Sequence, residues 1–393
     1  MPRVLFVVTA DLDRPLPAGG PRKDYQALAA GLQADLLDRT AARAHWLGRL
    51  LERCFGVAVA QAALAFMRRQ QYDAILTDGE HIGIPLALLL KLVGSRVAHV
   101  TIGHRIAASK KRPFFRWLRV QSHIQRIAVH AQSQYELALD ALGLDPRTVA
   151  LIPYQADTRF WQPQPERPAE RLVCSIGLEY RDYPTLVQAV DGLDAKVIIG
   201  AASHWSKRRN TATDTPQPSN VEVDQFDYFA LRELYSRSAV VVVPLDDVDF
   251  QAGITTILEA MAMAKPVIVT HTVGQTDAVE DRRTITRGSQ PRERPPSLLR
   301  RLADQAGVAI EPNGFYVPPS DPGALRRAIE YLLNRPDERA RLGAAGRRTV
   351  ESLASLEQYV ARIAHLVDEA IAEQRAARGA ALRLEPSGSR GRS

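Results

Sequence analysis

Cysteine is almost missing from this chain: its 393 residues include only Cys54 and Cys174, far apart in sequence. No disulfide framework and no cysteine-based metal site can be built from that pair, and a reducing cytoplasm is the compartment it suits. Long apolar runs are missing too. None reaches the roughly 20 residues that a bilayer-spanning helix needs. The stretch 82–93 carries Pro85 and Lys91 and reads as a core helix. The apolar run Val4 to Val8 is too short, and too soon interrupted by Asp11, for a signal peptide. A dinucleotide fingerprint is absent, because residues 11–17 separate the first strand-like run from Gly19 and Gly20. No basic run interleaves with aromatics as in nucleic-acid-binding folds, so no nucleic-acid partner is expected. The net charge of +7 gathers partly in the tail 374–393, where arginine, glycine and serine predominate and disorder is expected.

What is present is a repeated alternation of strand and helix. The length exceeds one ordinary core, so two domains are expected. Short apolar runs at 3–10, 34–38, 74–77, 97–102, 126–131 and 149–153 alternate with helical stretches at 24–32, 41–70, 84–93, 113–124 and 135–142. Such a pattern predicts a parallel sheet covered on both faces. It restarts at 172–176, 195–200, 220–223, 239–244, 266–270 and 314–317, with intervening helices at 183–191, 228–238, 256–264 and 321–334. The expected division is therefore a domain over 1–157, a proline-bearing linker at 158–168, and a second domain over 158–354. A last helix at 355–373 follows and could pack back across the first domain. Open α/β sheets bind ligands at the carboxyl ends of their strands, which puts the site in the cleft between the halves. The segment 279–312, rich in arginine and proline, fits no regular element beyond one short helix at 297–306 and reads as an insertion.

One segment carries more chemistry than the rest. From Phe250 to Val269 the chain places a glycine-bearing turn, a helix start, a carboxylate at Glu259, a Lys265-Pro266 break and a buried-type strand. The N–H groups of Gly253, Ile254 and Thr255 stand where a helix leaves its donors unpaired and carries partial positive charge, which suits a phosphate. Thr255 and Thr256 are also capping residues. Glu259 is placed to meet the hydroxyls of an attached ribose.

Five motifs in order resemble the GT-B-fold glycosyltransferases, most closely glycosyltransferase family 4 (group 1). They are Ile152-Pro-Tyr-Gln-Ala-Asp157; Cys174-Ser-Ile-Gly177 with Arg181; Leu234 through Pro244; Gln251 to Glu259; and Gly314 through Asp321. The resemblance implies an α/β fold of two Rossmann-like domains whose parallel sheets face a central cleft, with the C-terminal helix packing back on the N-terminal domain. It implies transfer of a sugar from a nucleoside-diphosphate sugar to an acceptor hydroxyl, in cell-surface glycan or glycolipid biosynthesis, with no metal and no other cofactor. Gly20, Gly177, Arg181, Asp249, Gln251, Gly253, Ile254, Thr255, Thr256 and Glu259 would bind the donor. Arg181 would give a bidentate guanidinium to the departing diphosphate, and His104 would meet the reacting sugar from the opposite lip. The chain departs from the family at Gln251, where the first glutamate of a pair is expected. An amide carries no charge and cannot act as a base, so Asp249 is the expected substitute, and retention of anomeric configuration rests on the resemblance alone.

On the acceptor side, Gly19, Arg22, Lys23, Glu80 and His81 are the candidate contacts. A His/Glu metal site is not expected, since the spacing suits no helical ligand pair. The stretch 110–119 mixes basic and aromatic residues and has two readings: a core helix with arginine stems over its edge, or a peripheral contact with an anionic membrane. Two other functions stay open: a non-catalytic subunit binding a nucleotide sugar or glycan, and a GT-B epimerase or phosphorylase.

Overall fold

The computed structural model describes residues 2–10, 18–106, 108–164, 169–200, 217–281 and 297–384. It consists of two α/β halves, each built on a six-stranded, wholly parallel sheet among those residues. The first has strands β1 (Val4–Val7), β2 (Asp35–Leu37), β3 (Ala74–Thr77), β4 (Ala98–Gly103), β5 (Arg126–Val129) and β6 (Val149–Leu151), in the order β2-β1-β3-β4-β5-β6. The second has β7 (Leu172–Ile176), β8 (Lys196–Gly200), β9 (Val221–Asp224), β10 (Val240–Val243), β11 (Val267–Thr270) and β12 (Gly314–Val317), ordered β12-β11-β10-β7-β8-β9. In each sheet the order reverses once, between β1 and β3 and between β7 and β10. These switch points are where open α/β sheets hold ligands.

Burial on both faces explains why these strands read as continuous apolar runs. Val4 and Phe6 point to one face and Leu5 and Val7 to the other, and all four are buried. The first half carries helices α1 (Asp24–Leu32), α2 (Arg39–Ala44), α3 (Trp46–Phe55), α4 (Val57–Arg68), α5 (Glu80–Leu92), α6 (Arg112–Arg116) and α7 (Gln132–Asp140). The second carries α8 (Tyr183–Val190), α9 (Tyr228–Arg237), α10 (Ile254–Ala262), α11 (Leu298–Ala306), α12 (Pro322–Leu333) and α13 (Pro336–Leu353). The final helix α14 (Leu356–Leu384) returns to the first half, where Tyr359, Ile363, Val367 and Ala370 join the core beneath β1, β3 and β4. The two crossings between halves touch: Ala156 N–H donates to the Ala354 carbonyl at 3.0 Å, and Leu356 N–H to that of Ala156 at 3.0 Å. Among the described residues no helix is long and apolar enough to cross a membrane.

Several sequence expectations need correction. The single helix over 41–70 is three, broken at His45, whose extended backbone (ψ 133°) ends α2, and at Gly56 with φ 88°. The helix over 113–124 stops early, because Arg119 adopts a left-handed φ of 47° before a short 3-10 turn, Val120–His123. The terminal helix runs past residue 373 to Leu384, so Arg375 and Arg378 are helical rather than disordered. Arg375 pairs with Asp73 at 3.0 Å, and Arg378 donates to the Arg96 carbonyl at 3.0 Å. Residues 385–393 of that expected tail, 165–168 of the expected linker and 282–296 of the insertion lie outside the described residues.

Candidate active site

The second sheet supplies an anion cradle at its switch point. After β7 the chain turns at Gly177 (φ 108°), where a Cβ would come within 2.5 Å of Nη2 of Arg181. After β10 it runs through a loop to Gly253 (φ 76°), the N-cap of α10, where a Cβ would lie 2.7 Å from Val243 and 3.4 Å from Nη1 of Arg181. Both positions need glycine for conformation and for space. Gly253 has no side chain to cap the helix, so the first N–H groups of α10 stay available to a ligand.

Arg181 does not project into the cleft as a fork. Its guanidinium is buried beneath the two turns, with Nε donating to the Ile176 carbonyl (3.0 Å), Nη1 to that of Glu179 (2.7 Å) and Nη2 to Thr256 Oγ1 (3.2 Å). Burial lowers its pKa, and the nearby Tyr183, Tyr235, Glu179 and Asp246 oppose that. It acts on the site as a charge held under the glycine turns, beside the positive end of α10. Thr256 is thereby a buried brace, while Thr255 is exposed.

Glu259 lies further along α10 and is half-buried. Burial pushes its pKa up to about 8, against the opposing Lys23 charge and the hydrogen bond from Tyr235 Oη, 3.4 Å from Oε2. That Lys23 acts here is unexpected. It comes from the first domain, yet its ammonium donates to Tyr228 Oη at 2.5 Å and stands 4.3 Å from the centre of that ring, at the start of α9. Its place is with the donor half, not the acceptor.

Arg22 is likewise engaged within the fold. It clasps Asp157 (Nη2 to Oδ1, 2.5 Å) and Glu357 (2.9 Å), tying the start of α1 to both domain crossings. Gly19 (φ 73°) faces Phe229, 3.9 Å from where its Cβ would be, so the turn bearing Gly19 and Gly20 leans on the donor domain.

Gln251 and Asp249 diverge. Gln251 Nε2 approaches Asp277 Oδ2 at 3.4 Å, and that oxygen also accepts from the Gln132 N–H at 2.9 Å, across the domain boundary. Asp277 is buried, which raises its pKa. The hollow between Tyr154, Gln251, Ile254, Asp277 and Leu298 has a volume of about 10 Å³, room for no more than one water. Asp249 instead stands exposed on the lip, its Oδ1 3.4 Å from Nη2 of Arg105. The expected replacement of the missing glutamate by Asp249 is not what the loop does: the carboxylate beside Gln251 is Asp277. Gly274 explains the loop's path, because a Cβ there would meet the Phe250 backbone at 2.2 Å.

Opposite, the first sheet gathers a polar cluster at the ends of β3, β4 and β5. His104 Nε2 lies 3.5 Å from Asp78 Oδ1. Burial would lower the His104 pKa, but Asp78, by hydrogen bond and charge, with Glu80 and Asp24, raises it. Glu80 is buried and fully engaged: it accepts from His104 N–H (2.9 Å), Arg105 N–H (3.3 Å) and the Lys111 ammonium. Burial opposes its charge, yet Lys111 and those N–H groups hold its pKa at about 2. Glu80 therefore ties down the backbone of His104 and Arg105. His81, at the start of α5, is exposed as a residue but folds over Gly79, where partial desolvation of its ring lowers its pKa. Behind His104 lies buried His130, whose ring centre is 5.7 Å away, with Nδ1 2.9 Å from the Ile152 carbonyl. No group of three His, Cys, Asp or Glu among the described residues is arranged to hold a metal ion.

Sequence reading missed Asp78, Asp277 and His130. Asp78 and His130 follow directly on β3 and β5, and Asp277 lies on the loop after β11, at the carboxyl edge where ligand groups cluster, and that position was the available signal.

Residues 178–335 match the family model of the glycosyl transferases group 1, a span that includes Arg181, Gln251, Gly253 and Glu259. No curated protein matches the chain. Among solved structures it is similar to a glycosyltransferase of Rickettsia africae, with 15% identity, a TM-score of 0.64, and 94% of this chain and 98% of that one covered. Anabaena HepE in complex with UDP-glucose gives 12% identity and a TM-score of 0.64, covering 94% and 100%. Sucrose-phosphate synthase of Thermosynechococcus elongatus gives 18%, 0.62, and 95% and 100%. The described residues take a GT-B fold, and residues 178–335 are similar to the group 1 glycosyltransferases.

Proposed function

From a GT-B chain whose donor half matches the group 1 glycosyltransferases, we propose an enzyme that moves a glycosyl group from a nucleoside-diphosphate sugar to an acceptor hydroxyl. The observation that carries this is the Gly177–Gly253 cradle with Arg181 buried beneath it and Glu259 farther along the same helix. An uncapped helix N-terminus over a fixed cation favours a diphosphate, and favours it more as negative charge develops on departure. The C1–O bond to the diphosphate breaks with its electron pair going to the phosphate oxygen. A bond from the acceptor oxygen to C1 forms, and the acceptor's proton passes to the departing phosphate oxygen. That route retains configuration and asks no base of Gln251. Glu259 accepts from the ribose hydroxyls, and His104, oriented by Asp78, meets the sugar. Arg181, Lys23 and the helix N-terminus supply the positive charge, so no metal is assigned a role. HepE was solved with UDP-glucose, which makes UDP-sugars the first donors to try. The acceptor class proposed is a glycan or glycolipid precursor.

Thermal unfolding with UDP, GDP, ADP and their glucose conjugates tests this, since a ligand of the folded state raises apparent stability. A shift with one of them, followed by release of its diphosphate in the presence of an acceptor extract, is expected; no shift with any would sink the proposal. A second reading, binding without turnover, is favoured by the engagement of Gln251 with Asp277 in a nearly filled floor. Tight donor binding with no diphosphate release across a broad acceptor panel would select it.

A further inference from the structure

The helical layer flanking the first sheet on the side of α3, α4 and α5 is short of acidic residues and leaves large apolar side chains in water. Between Glu80 and Glu136 the chain has no aspartate or glutamate but holds Lys91, Arg96, Arg105, Lys110, Lys111, Arg112, Arg116, Arg119 and Arg126. Within the same stretch Leu92 and Trp117 are each 81% exposed, and Val93 and Leu118 are exposed beside them. They form one patch, because the Lys91 ammonium donates to the Leu118 carbonyl at 2.6 Å and binds the end of α5 to the turn after α6. The helix α6 before that turn sends Phe115 into the core, so the segment divides its aromatics: one ring inward, Trp117 outward. Along the same layer α3 packs on α4 and α4 on α5. On α3, Trp46 and Leu50 are exposed together with Arg49 and Arg53, at helical spacing on one face.

We propose that this surface docks on an anionic membrane, with Trp117, Leu118, Leu92 and Val93 entering the headgroup boundary and Arg116, Arg119 and Lys110 facing lipid phosphates. Exposed aromatic and aliphatic side chains ringed by cations, on a stretch with no aspartate or glutamate between Glu80 and Glu136, match a negatively charged interface and would repel another basic surface. Arg116, Arg119 and Lys110 form no ion pair among the described residues, so their charge is available to a lipid headgroup. A protein partner would more often offer hydrogen-bonding shape than uniform negative charge, and a second copy of this face would bring like charges together. The surface is independent of the chemistry assigned to the cleft.

Co-sedimentation of the full chain with vesicles rich in phosphatidylglycerol, against vesicles of phosphatidylcholine alone, tests it. Binding to the first at low salt is expected to exceed binding to the second by about tenfold or more, and to fall as salt screens the charges. Trp117→Glu and, separately, Arg116→Glu with Arg119→Glu should each weaken it by about tenfold while melting as the wild type does and keeping any nucleotide-dependent thermal shift. Equal partition into both vesicle types, no partition into either, or unchanged binding by the folded Trp117→Glu variant would overturn the proposal. So would self-association without lipid that Trp117→Glu abolishes, which would identify the occupant as a second copy.

Discussion

Arg105 reaches across the cleft from the residue next to His104, placing Nη2 3.4 Å from Asp249 and its guanidinium carbon 4.7 Å from the centre of the Phe250 ring. The acceptor lip thus closes on the loop that leads to the anion cradle. Both partners are exposed, so the ion pair is worth under about 1 kcal/mol, and the stacking adds about as much. Arg105→Ala should weaken binding of a UDP-sugar by about tenfold or less. It should raise the share of donor lost to water, because closure excludes solvent. Calorimetric titration together with assay of free sugar checks both, and a variant with tighter donor binding would contradict this role for the contact.

Gly253→Ala should affect the site more severely than its size suggests. The new methyl would stand 2.7 Å from Val243 and force a left-handed φ of 76° on a residue that avoids it, at a cost of about 1–3 kcal/mol. The expected result is a modestly destabilised protein whose thermal shift with UDP is lost. Gly192→Ala is the control: it shares a positive φ of 64° but has nothing within 4 Å of the added Cβ. It should lose less stability, from the backbone alone, and retain the UDP shift.

How far the site was legible in sequence depends on the range of the interactions that build it. Gly253 through Glu259 was readable because a glycine, a helix start and a carboxylate on one helix are local facts. The alternation of strands and helices was readable for the same reason, since each run declares its own burial. Gln251 stands out in sequence as a departure from the resembling motif, but its partner does not, because Asp277 reaches it through the packing of Gly274 on the Phe250 backbone. Arg22 and Lys23 adjoin in sequence and yet serve a domain crossing and the donor wall, which only the tertiary arrangement separates. Arg181 was found but not its posture: three backbone or hydroxyl acceptors hold it beneath the turns.

His104 offers a test on the opposite lip. Asp78 raises its pKa against partial desolvation, so the charged imidazole contributes stability that is fully present below the ordinary histidine value and is lost as pH rises through the folded value. Asp78→Asn should lower the His104 pKa, measurable by following its imidazole resonances with pH, and its stability deficit should be larger at pH 5 than at pH 8. Glu80→Gln should act differently. It leaves Lys111 without its buried partner and loosens the backbone of His104, destabilising the protein by about 3 kcal/mol. An unchanged His104 titration in Asp78→Asn would remove Asp78 from the site.

Glu259 gives the same sign of pH dependence from a different cause, burial in place of a charged partner. Its folded pKa, near 8 because the carboxyl is buried, exceeds its unfolded value, so the empty protein holds that proton more tightly than the unfolded chain does. The resulting stability is complete below about pH 4.5, declines as pH rises, and is gone above about pH 8. Glu259→Gln, which stays neutral, should therefore match the wild type at pH 5 and exceed it at pH 9. The excess should be about 1–3 kcal/mol once solvent at the cleft is allowed for. With UDP bound the advantage should reverse, because an amide cannot replace a carboxylate accepting two ribose hydroxyls. Melting curves at the two pH values, each with and without UDP, separate the effects. If the variant gained stability at high pH yet kept the full UDP shift, the carboxylate would be buried for packing alone and the ribose would lie elsewhere.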